Sequence, residues 1–253
     1  MSGRFRNKAV IVTGGAAGIG RATALAFGRE GAMVAVADLD LDRAEETAGL
    51  IREEGSEAIV IKTDVGNDAD VASMVSKCLE VFGRLDVAFN NAGIEGKTAE
   101  THECAEENWD LVTRVNLKGT WLCMRHEIPP MLKRGGGSIV NMASVAGLAG
   151  FAGMPAYTAA KHGIVGLSRA AALELASKKI RVNVVCPGVI QTEMIDRFTE
   201  GKAEALETLV SSEPIGRVGT PNEVADAVLF LASPEASFIL GHALAIDGGM
   251  LAE

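Results

Sequence analysis

A single tyrosine, Tyr157, occurs among the 253 residues, and Lys161 follows it by four positions. On a helix, residues i and i+4 share a face, so the phenol and the ammonium are neighbours. A free phenol has a pKa of about 10 and is a poor base near neutrality. A neighbouring cation favours the phenolate, and each unit of depression corresponds to about 1.4 kcal/mol. The pair is thus a candidate general acid/base, moving a proton to or from an oxygen atom. Taken alone, the spacing fits equally an isolated aromatic packed beside a solvated lysine. Ser144 weakens that reading, because it closes an apolar run 13 residues before Tyr157 and can hold a substrate oxygen there. Asn116 lies inside a long helical pattern, where an asparagine is mildly unfavourable and wants a reason.

A second set of residues fits a phosphate. Thr13-Gly14-Gly15-Ala16-Ala17-Gly18-Ile19-Gly20 follows a short apolar run and opens a helical pattern. Glycines there permit a tight turn and close approach of backbone N–H groups to a pyrophosphate, which a helix N-terminus also favours. Asp38 stands 20 residues beyond Gly18, at the end of the next apolar run. A carboxylate at that place accepts hydrogen bonds from adenosine ribose hydroxyls and repels a 2′-phosphate. With no Arg or Lys at Ala16, Ala17 or Leu39, the pattern favours NAD over NADP. A helix N-cap is the other reading of Asp38.

Along the chain, short apolar runs alternate with helical periods. Strands are expected at Ala9–Val12, Met33–Ala37, Ala58–Ile61, Val87–Phe89, Ser138–Met142, Arg181–Val185 and Ala243–Ile246. Helices are expected at Arg21–Arg29, Leu41–Glu53, Ala69–Phe82, Trp109–Leu132, Ala156–Ala176 and Asn222–Ala232. Such alternation predicts a Rossmann-like, doubly wound, parallel seven-stranded sheet with helices on both faces. No linker, repeat or change of composition divides residues 1–253, so one domain is expected. The irregular stretch at 192–215 lies beyond the carboxyl end of a strand, where ligands bind in open α/β sheets. It reads as a substrate lid or as a plain surface helix.

The spacing Gly14-x3-Gly18-x-Gly20 resembles the T-G-x-x-x-G-x-G of the short-chain dehydrogenase/reductase family, and the resemblance extends over essentially the whole chain. Asp64-Val65 matches the pair that contacts adenine, and Asn90-Asn91-Ala92-Gly93 matches the family's N-N-A-G. Pro187-Gly188-Val189-Ile190-Gln191-Thr192 matches the segment that holds the nicotinamide carboxamide, and Asp247-Gly248-Gly249 the C-terminal turn. The resemblance implies NAD-dependent hydride transfer between an alcohol and a ketone. It assigns Tyr157 as general acid/base, and Lys161 to lowering its pKa, with the oxidised nicotinamide, and to binding the ribose. Ser144 would polarise the carbonyl and Asn116 anchor a proton relay. Cofactor contacts are expected at Gly14, Ala17, Gly18, Ile19, Gly20, Asp38, Leu39, Asp64, Val65, Asn91, Ala92, Gly93, Pro187, Gly188, Ile190 and Thr192, besides Tyr157 and Lys161. It also implies a homotetramer built on the two long helices, whose apolar residues cover more than one face.

Other function classes fit poorly. The formal net charge of −9 disfavours a broad nucleic-acid surface or adhesion to an anionic membrane. Cys78, Cys104, Cys123 and Cys186 are scattered, as are His102, His126, His162 and His242, so neither a disulfide frame nor a metal site is expected. The cysteines suit a reducing, cytoplasmic setting. The basic start at Arg4, Arg6 and Lys8 resembles a signal peptide, but Thr13-Gly14-Gly15 breaks its apolar run. The uncharged stretch Gly135–Ala160 holds glycines and a proline whose backbone lipid would leave unsatisfied.

The resemblance also implies a substrate pocket built from the loop after Gly93, the segment after Ser144 and the lid after Gly188, where Ile94, Val145, Leu148, Phe151, Met154, Val189, Met194, Ile195 and Phe198 make a mainly apolar wall. That suits a small apolar or cyclic secondary alcohol or ketone. Glu95, Lys97, Glu193, Asp196 and Arg197 lie nearby as partners for a sugar or as a solvated rim. A 3-oxoacyl-thioester reductase and a sugar dehydrogenase are the alternatives within the family. A non-catalytic NAD sensor is the alternative outside it, disfavoured by the intact Ser144, Tyr157 and Lys161.

Overall fold

The inner strands of the computed structural model are short, mainly apolar runs buried on both faces, as a parallel sheet covered by helices requires, while the two edge strands are partly exposed. The structure describes residues 3–252 except 200–203, 205–207, 209 and 212, and the side chain of Phe198 also lies outside the described residues. The strands are β1 (Ala9–Thr13), β2 (Met33–Asp38), β3 (Ala58–Lys62), β4 (Val87–Asn90), β5 (Gly137–Met142), β6 (Ile180–Pro187) and β7 (Ala243–Ile246). They form one parallel sheet in the order β3-β2-β1-β4-β5-β6-β7.

The helices are α1 (Gly18–Arg29), α2 (Leu41–Glu53), α3 (Asp68–Phe82), α4 (Glu106–Val112), α5 (Gly119–Arg134), α6 (Pro155–Leu175), α7 (Glu193–Phe198) and α8 (Pro221–Ala232). Alternation along the strands feeds two cores. Val10, Val12, Val34 and Val36 pack with Phe27 of α1, Ile51 of α2 and Val228 of α8 on one face. Ala9, Ile11, Ala35 and Ile139 pack with Met74 of α3, Leu122 of α5 and Ala171 of α6 on the other. The ends are capped where the sequence supplies acceptors: Asn67 caps α3, and Thr220 with Glu223 forms a reciprocal capping box on α8. Each such cap contributes about 1 kcal/mol.

Two helix starts lie three residues ahead of the expected ones. The first helix begins at Gly18 instead of Arg21, so the glycine turn runs straight into it. The helix expected over Trp109–Leu132 begins at Glu106 and is interrupted by a π-helical segment, Thr113–Lys118, between α4 and α5. Because β4 pairs with β1 opposite β2, the chain reverses direction across the sheet between β1 and β4. A crevice at such a switch point is where open α/β sheets bind ligands.

Candidate active site

The crevice is held open by side chains that tie the two strand ends. Thr13 Oγ1 accepts from the Asn91 and Ala92 backbone N–H groups at 3.0 and 3.1 Å, and Asn91 Nδ2 donates to the Thr13 carbonyl at 2.9 Å. Above lies a cavity of about 340 Å³. Gly14, Ala17, Gly18, Ile19, Asn91, Ala92 and Gly93 line it on one side, and Pro187, Gly188, Ile190 and Thr192 on another. Ser144, Tyr157 and Lys161 meet on its floor. Of the other expected cofactor contacts, Gly20, Asp38, Leu39, Asp64 and Val65 do not line this cavity, nor does the candidate catalytic Asn116.

The glycine turn fits a dinucleotide phosphate. Gly14 and Gly18 have φ of +65° and +51°, in the left-handed region. A Cβ on Gly20 would fall 1.9 Å from the Gly14 carbonyl oxygen, so only glycine lets α1 start this close to the turn. No side chain caps α1 and no acid lies in its first turn, which leaves the first backbone N–H groups free for an anion. Asp38 is not a helix cap; that task belongs to Asp40, which accepts from Arg43 N–H. Instead Asp38 Oδ2 accepts from Ala16 N–H and Oδ1 from Asp40 N–H, each at 3.0 Å. Carboxylate oxygens take further donors, so ribose hydroxyls can still be bound. Leu39 is 61% exposed beyond Asp38. The Asp64 carboxylate is held by Arg114 at 2.9 Å and by Gly66 N–H at 2.8 Å, while Val65 is buried beneath Gly119.

The four candidate catalytic residues come from two elements and a strand end. Ser144 follows β5 in extended backbone, and its Oγ accepts from Ala146 N–H at 3.2 Å. Tyr157 and Lys161 lie one turn apart on α6, with Nζ 5.4 Å from the centre of the ring. Lys161 is buried, and its ammonium donates to the Met142 carbonyl at 2.9 Å. Asn116 sits in the π-helical segment, and its side chain does the work of a second strand for Ile94. Oδ1 accepts from Ile94 N–H at 2.8 Å and Nδ2 donates to Ile94 C=O at 2.9 Å. That contact is the reason the sequence wanted, and π turns of this kind gather at functional sites. A Cβ on Gly93 would meet Asn116 Oδ1 at 3.1 Å and Lys161 Nζ at 3.6 Å, so Gly93 is where these side chains converge.

The electrostatics differ from expectation in one respect. Burial pushes the Tyr157 phenol up to about 12; the Ser144 hydroxyl pulls it down and Glu95 pushes it further up. Burial draws the Lys161 ammonium down to about 8, and it donates to the Met142 carbonyl. A phenol raised by burial and set beside a hydroxyl is a proton donor in the resting chain. It becomes a base only when further positive charge arrives.

The remaining lining is apolar. Val145, Phe151, Met154, Val189, Met194 and Ile195 of the expected wall line the cavity; Ile94 and Leu148 do not. Met142 and Met250 join it unforeseen. The charges at the mouth are paired across it: Arg197 with Glu95 at 2.9 Å, and Arg43 of α2 with Glu193 of α7. Glu213 was also missed. It is buried, and its Oε1 accepts from Val189 N–H at 2.7 Å, inside the segment expected to hold nicotinamide. Among the described residues, no helix is long and apolar enough to cross a membrane, and no group of three His, Cys, Asp or Glu is arranged to hold a metal ion.

A family model of short-chain dehydrogenases, described as enoyl-(acyl carrier protein) reductase, matches residues 14–251. Cyclohexanol dehydrogenase of Acinetobacter sp. strain SE19 is 43% identical over 248 residues, covering 98% of this chain and 96% of that one. The 3-oxoacyl-(acyl-carrier-protein) reductase of Thermotoga maritima is 40% identical, covering 98% and 99%. The crystal structure of levodione reductase superposes with a TM-score of 0.96 at 36% identity, over 98% of this chain and 99% of that one. The chain belongs to the short-chain dehydrogenase/reductase family and is an oxidoreductase acting on the CH–OH group of a small-molecule alcohol with a nicotinamide cofactor.

Proposed function

We propose that the chain is an NAD-dependent dehydrogenase of a small, mainly apolar, cyclic secondary alcohol. The observation that carries this reading is a cavity whose floor holds Ser144, Tyr157 and Lys161 while its wall is apolar and its rim charges are paired with one another. A sugar would leave hydroxyls without partners against that wall, each costing about 1–3 kcal/mol. Identity to a cyclohexanol dehydrogenase supports the substrate class. The identity to a 3-oxoacyl-(acyl-carrier-protein) reductase supports a thioester reductase as the second reading.

When bound, the oxidised nicotinamide supplies the hydride acceptor and a positive charge. Ser144 Oγ orients the substrate oxygen toward Tyr157. Tyr157 Oη takes the hydroxyl proton in oxidation and returns it in reduction. Lys161 would hold the cofactor ribose, and Asn116, whose side chain fixes the backbone at Ile94, would anchor the proton relay leading to Lys161. Gly14 to Gly20 and the α1 N-terminus would hold the pyrophosphate, Asp64 and Val65 the adenine, and 187–192 the carboxamide. Asp38 sets the choice of NAD, and Arg43, the cation that follows it on α2, is taken up by Glu193.

The same reading takes residues 1–253 as one cytoplasmic domain with 192–215 as its lid, of which the described part is α7, flanking residues, and isolated positions before Glu213. All four cysteines are free, which suits that compartment. Leu173 of α6 is 84% exposed, and Trp121 and Leu132 of α5 are also exposed, which supports burial of these helices in a homotetramer. Light scattering at micromolar concentration is expected to give four chains, and a monomer overturns that assembly. Initial rates at the nicotinamide absorbance with cyclohexanol-like alcohols, glucose and 3-hydroxyacyl thioesters test the substrate. A higher kcat/KM for either of the last two overturns the assignment.

A further inference from the structure

Glu127 of α5 faces the sheet with 0% exposure. Asn90 Nδ2 donates to its Oε2 at 3.1 Å, but nothing reaches Oε1. The Oδ1 of Asn90 is likewise buried without a partner. Asn90 Nδ2 also donates to Asn141 Oδ1 at 2.9 Å, and Asn141 Nδ2 to Ser168 Oγ at 2.9 Å. A line of polar side chains therefore runs from α5 through β4 and β5 to α6. The groups that face Glu127 hold no compensating charge. From α3 comes the Cys78 thiol and from its own helix Cys123, both pushed up by burial and then by Glu127 itself. The strands present the amides of Asn90 and Asn141, and α6 presents a hydroxyl. Burial raises the acid to about 7 against the pull of the Asn90 bond, with no cation among its influences. An ionised carboxyl in such a place is strongly unfavourable.

The two atoms without partners are both acceptors as long as Glu127 is ionised. One proton satisfies both: Oε1–H donates to Asn90 Oδ1 while Asn90 Nδ2–H donates to Oε2. We propose that Glu127 is a neutral carboxylic acid, joined at two points to the Asn90 amide, and that the pair positions the strand ends that enter the active site. Asn90 immediately precedes Asn91, and Asn141 immediately precedes Met142, whose carbonyl holds Lys161. The positioning half rests on the functional reading of those residues; the neutral pair does not.

Glu127→Gln tests the pair, because its amide keeps one donor and one acceptor facing Asn90 and cannot titrate. The infrared difference between wild type and Glu127→Gln at about pH 6 is expected to contain the C=O band of a protonated carboxylic acid, shifted by deuteration. Across about pH 5 to 8, the wild-type Tm is expected to fall relative to that of Glu127→Gln, then run parallel to it. The variant's KM for NAD stays within about twofold, whereas Glu127→Leu, which strands the Asn90 amide, raises it about tenfold. Absence of the protonated band in wild type, or parallel melting curves throughout, overturns the neutral pair and points to an anion satisfied by a buried water. An unchanged KM in Glu127→Leu overturns the positioning role. Should the leucine variant fail to fold, a rise in KM for wild type, and not for Glu127→Gln, as the pH passes about 7 decides it, and no such rise overturns it. The infrared and melting results stand even if NAD is not the cofactor.

Discussion

Replacing Asp38 by asparagine separates charge from shape at the end of β2. In the native chain its two oxygens accept from Ala16 N–H and Asp40 N–H, each at 3.0 Å. Asparagine retains one acceptor, and water replaces the other at this half-buried position, so the turn loses about 1 kcal/mol. The larger effect falls on cofactor choice. Two unit charges about 4 Å apart interact by about 4 kcal/mol at an effective dielectric of about 20, and by about 1 kcal/mol in water. A half-buried carboxylate lies between these limits, so relief of its repulsion toward a 2′-phosphate is worth about 1–2 kcal/mol per unit charge. NADP therefore gains about tenfold or more in kcat/KM, while NAD loses about tenfold with the weakened ribose hydrogen bond. The ratio between the cofactors should fall by about 100-fold. Initial rates with one alcohol and both cofactors measure it. Repeating them in about 1 M salt should shrink the native discrimination, since screening there reaches within about 3 Å. A ratio that moves less than about threefold in Asp38→Asn, or equal use of both cofactors by the native enzyme, refutes the reasoning.

Three further outcomes follow from the same geometry. Tyr157→Phe should abolish turnover and leave NAD affinity nearly unchanged in equilibrium titration; most of the activity surviving would remove Tyr157 from its role. Burial draws Lys161 down to about 8, so between about pH 8 and 10.5 the folded chain binds less proton than the unfolded one, stability rises with pH there, and the penalty of about 3 kcal/mol is fully present at pH 7. Lys161→Met should therefore melt higher than wild type at pH 7, by about 2 kcal/mol after loss of the Met142 bond. Its advantage should close toward about pH 10.5 while turnover and NAD affinity drop, and a less stable variant at pH 7 contradicts this. Asp86, 5% exposed at the amino end of β4, would be raised by burial, but Arg84, the Ala9 N–H and Arg134 outweigh that and hold it below the ordinary carboxylate range. Its contribution is present above about pH 4 and lost as pH falls through the lowered value. Asp86→Asn should cost about 2–4 kcal/mol in denaturant unfolding at neutral pH, with KM unchanged, and a loss under about 0.5 kcal/mol would show the cluster to be ornamental.

The strands were legible because a parallel strand buried on both faces is an uninterrupted apolar run, and such a run has few other uses in a chain this polar between its elements. Boundaries slipped where the decisive contact was not local. β6 extends two residues beyond Val185 because Cys186 and Pro187 still pair with Ala245 and Ile246. The π turn at Thr113–Lys118 left no periodic mark, yet Asn116 marked it indirectly as an asparagine with no reason to be in a helix. The site residues were legible as types and spacings along one or two turns, as with Tyr157 and Lys161.

What escaped were partners far apart in sequence: Glu127 with Asn90, Glu213 with Val189, Arg43 with Glu193. Glu127 did leave a trace. It falls four residues after Cys123 and four before Met131, both buried, so its phase places a carboxyl on the core face of α5. Such an acid needs a partner, but the sequence does not say which side chain on another element supplies it. The three cases share a consequence. Each ties an acid to a group beside the proposed cofactor site: Glu127 to the Asn90 amide, Glu213 to the Val189 N–H and Glu193 to the Arg43 guanidinium. The residues that do chemistry can be read from short motifs, because hydride and proton transfer demand fixed types in fixed order. Those that hold the motifs in place need only meet in space, and only the folded arrangement of β4, β5, α5 and α6 brings Glu127 to Asn90, and Asn90 to Asn141 and Ser168.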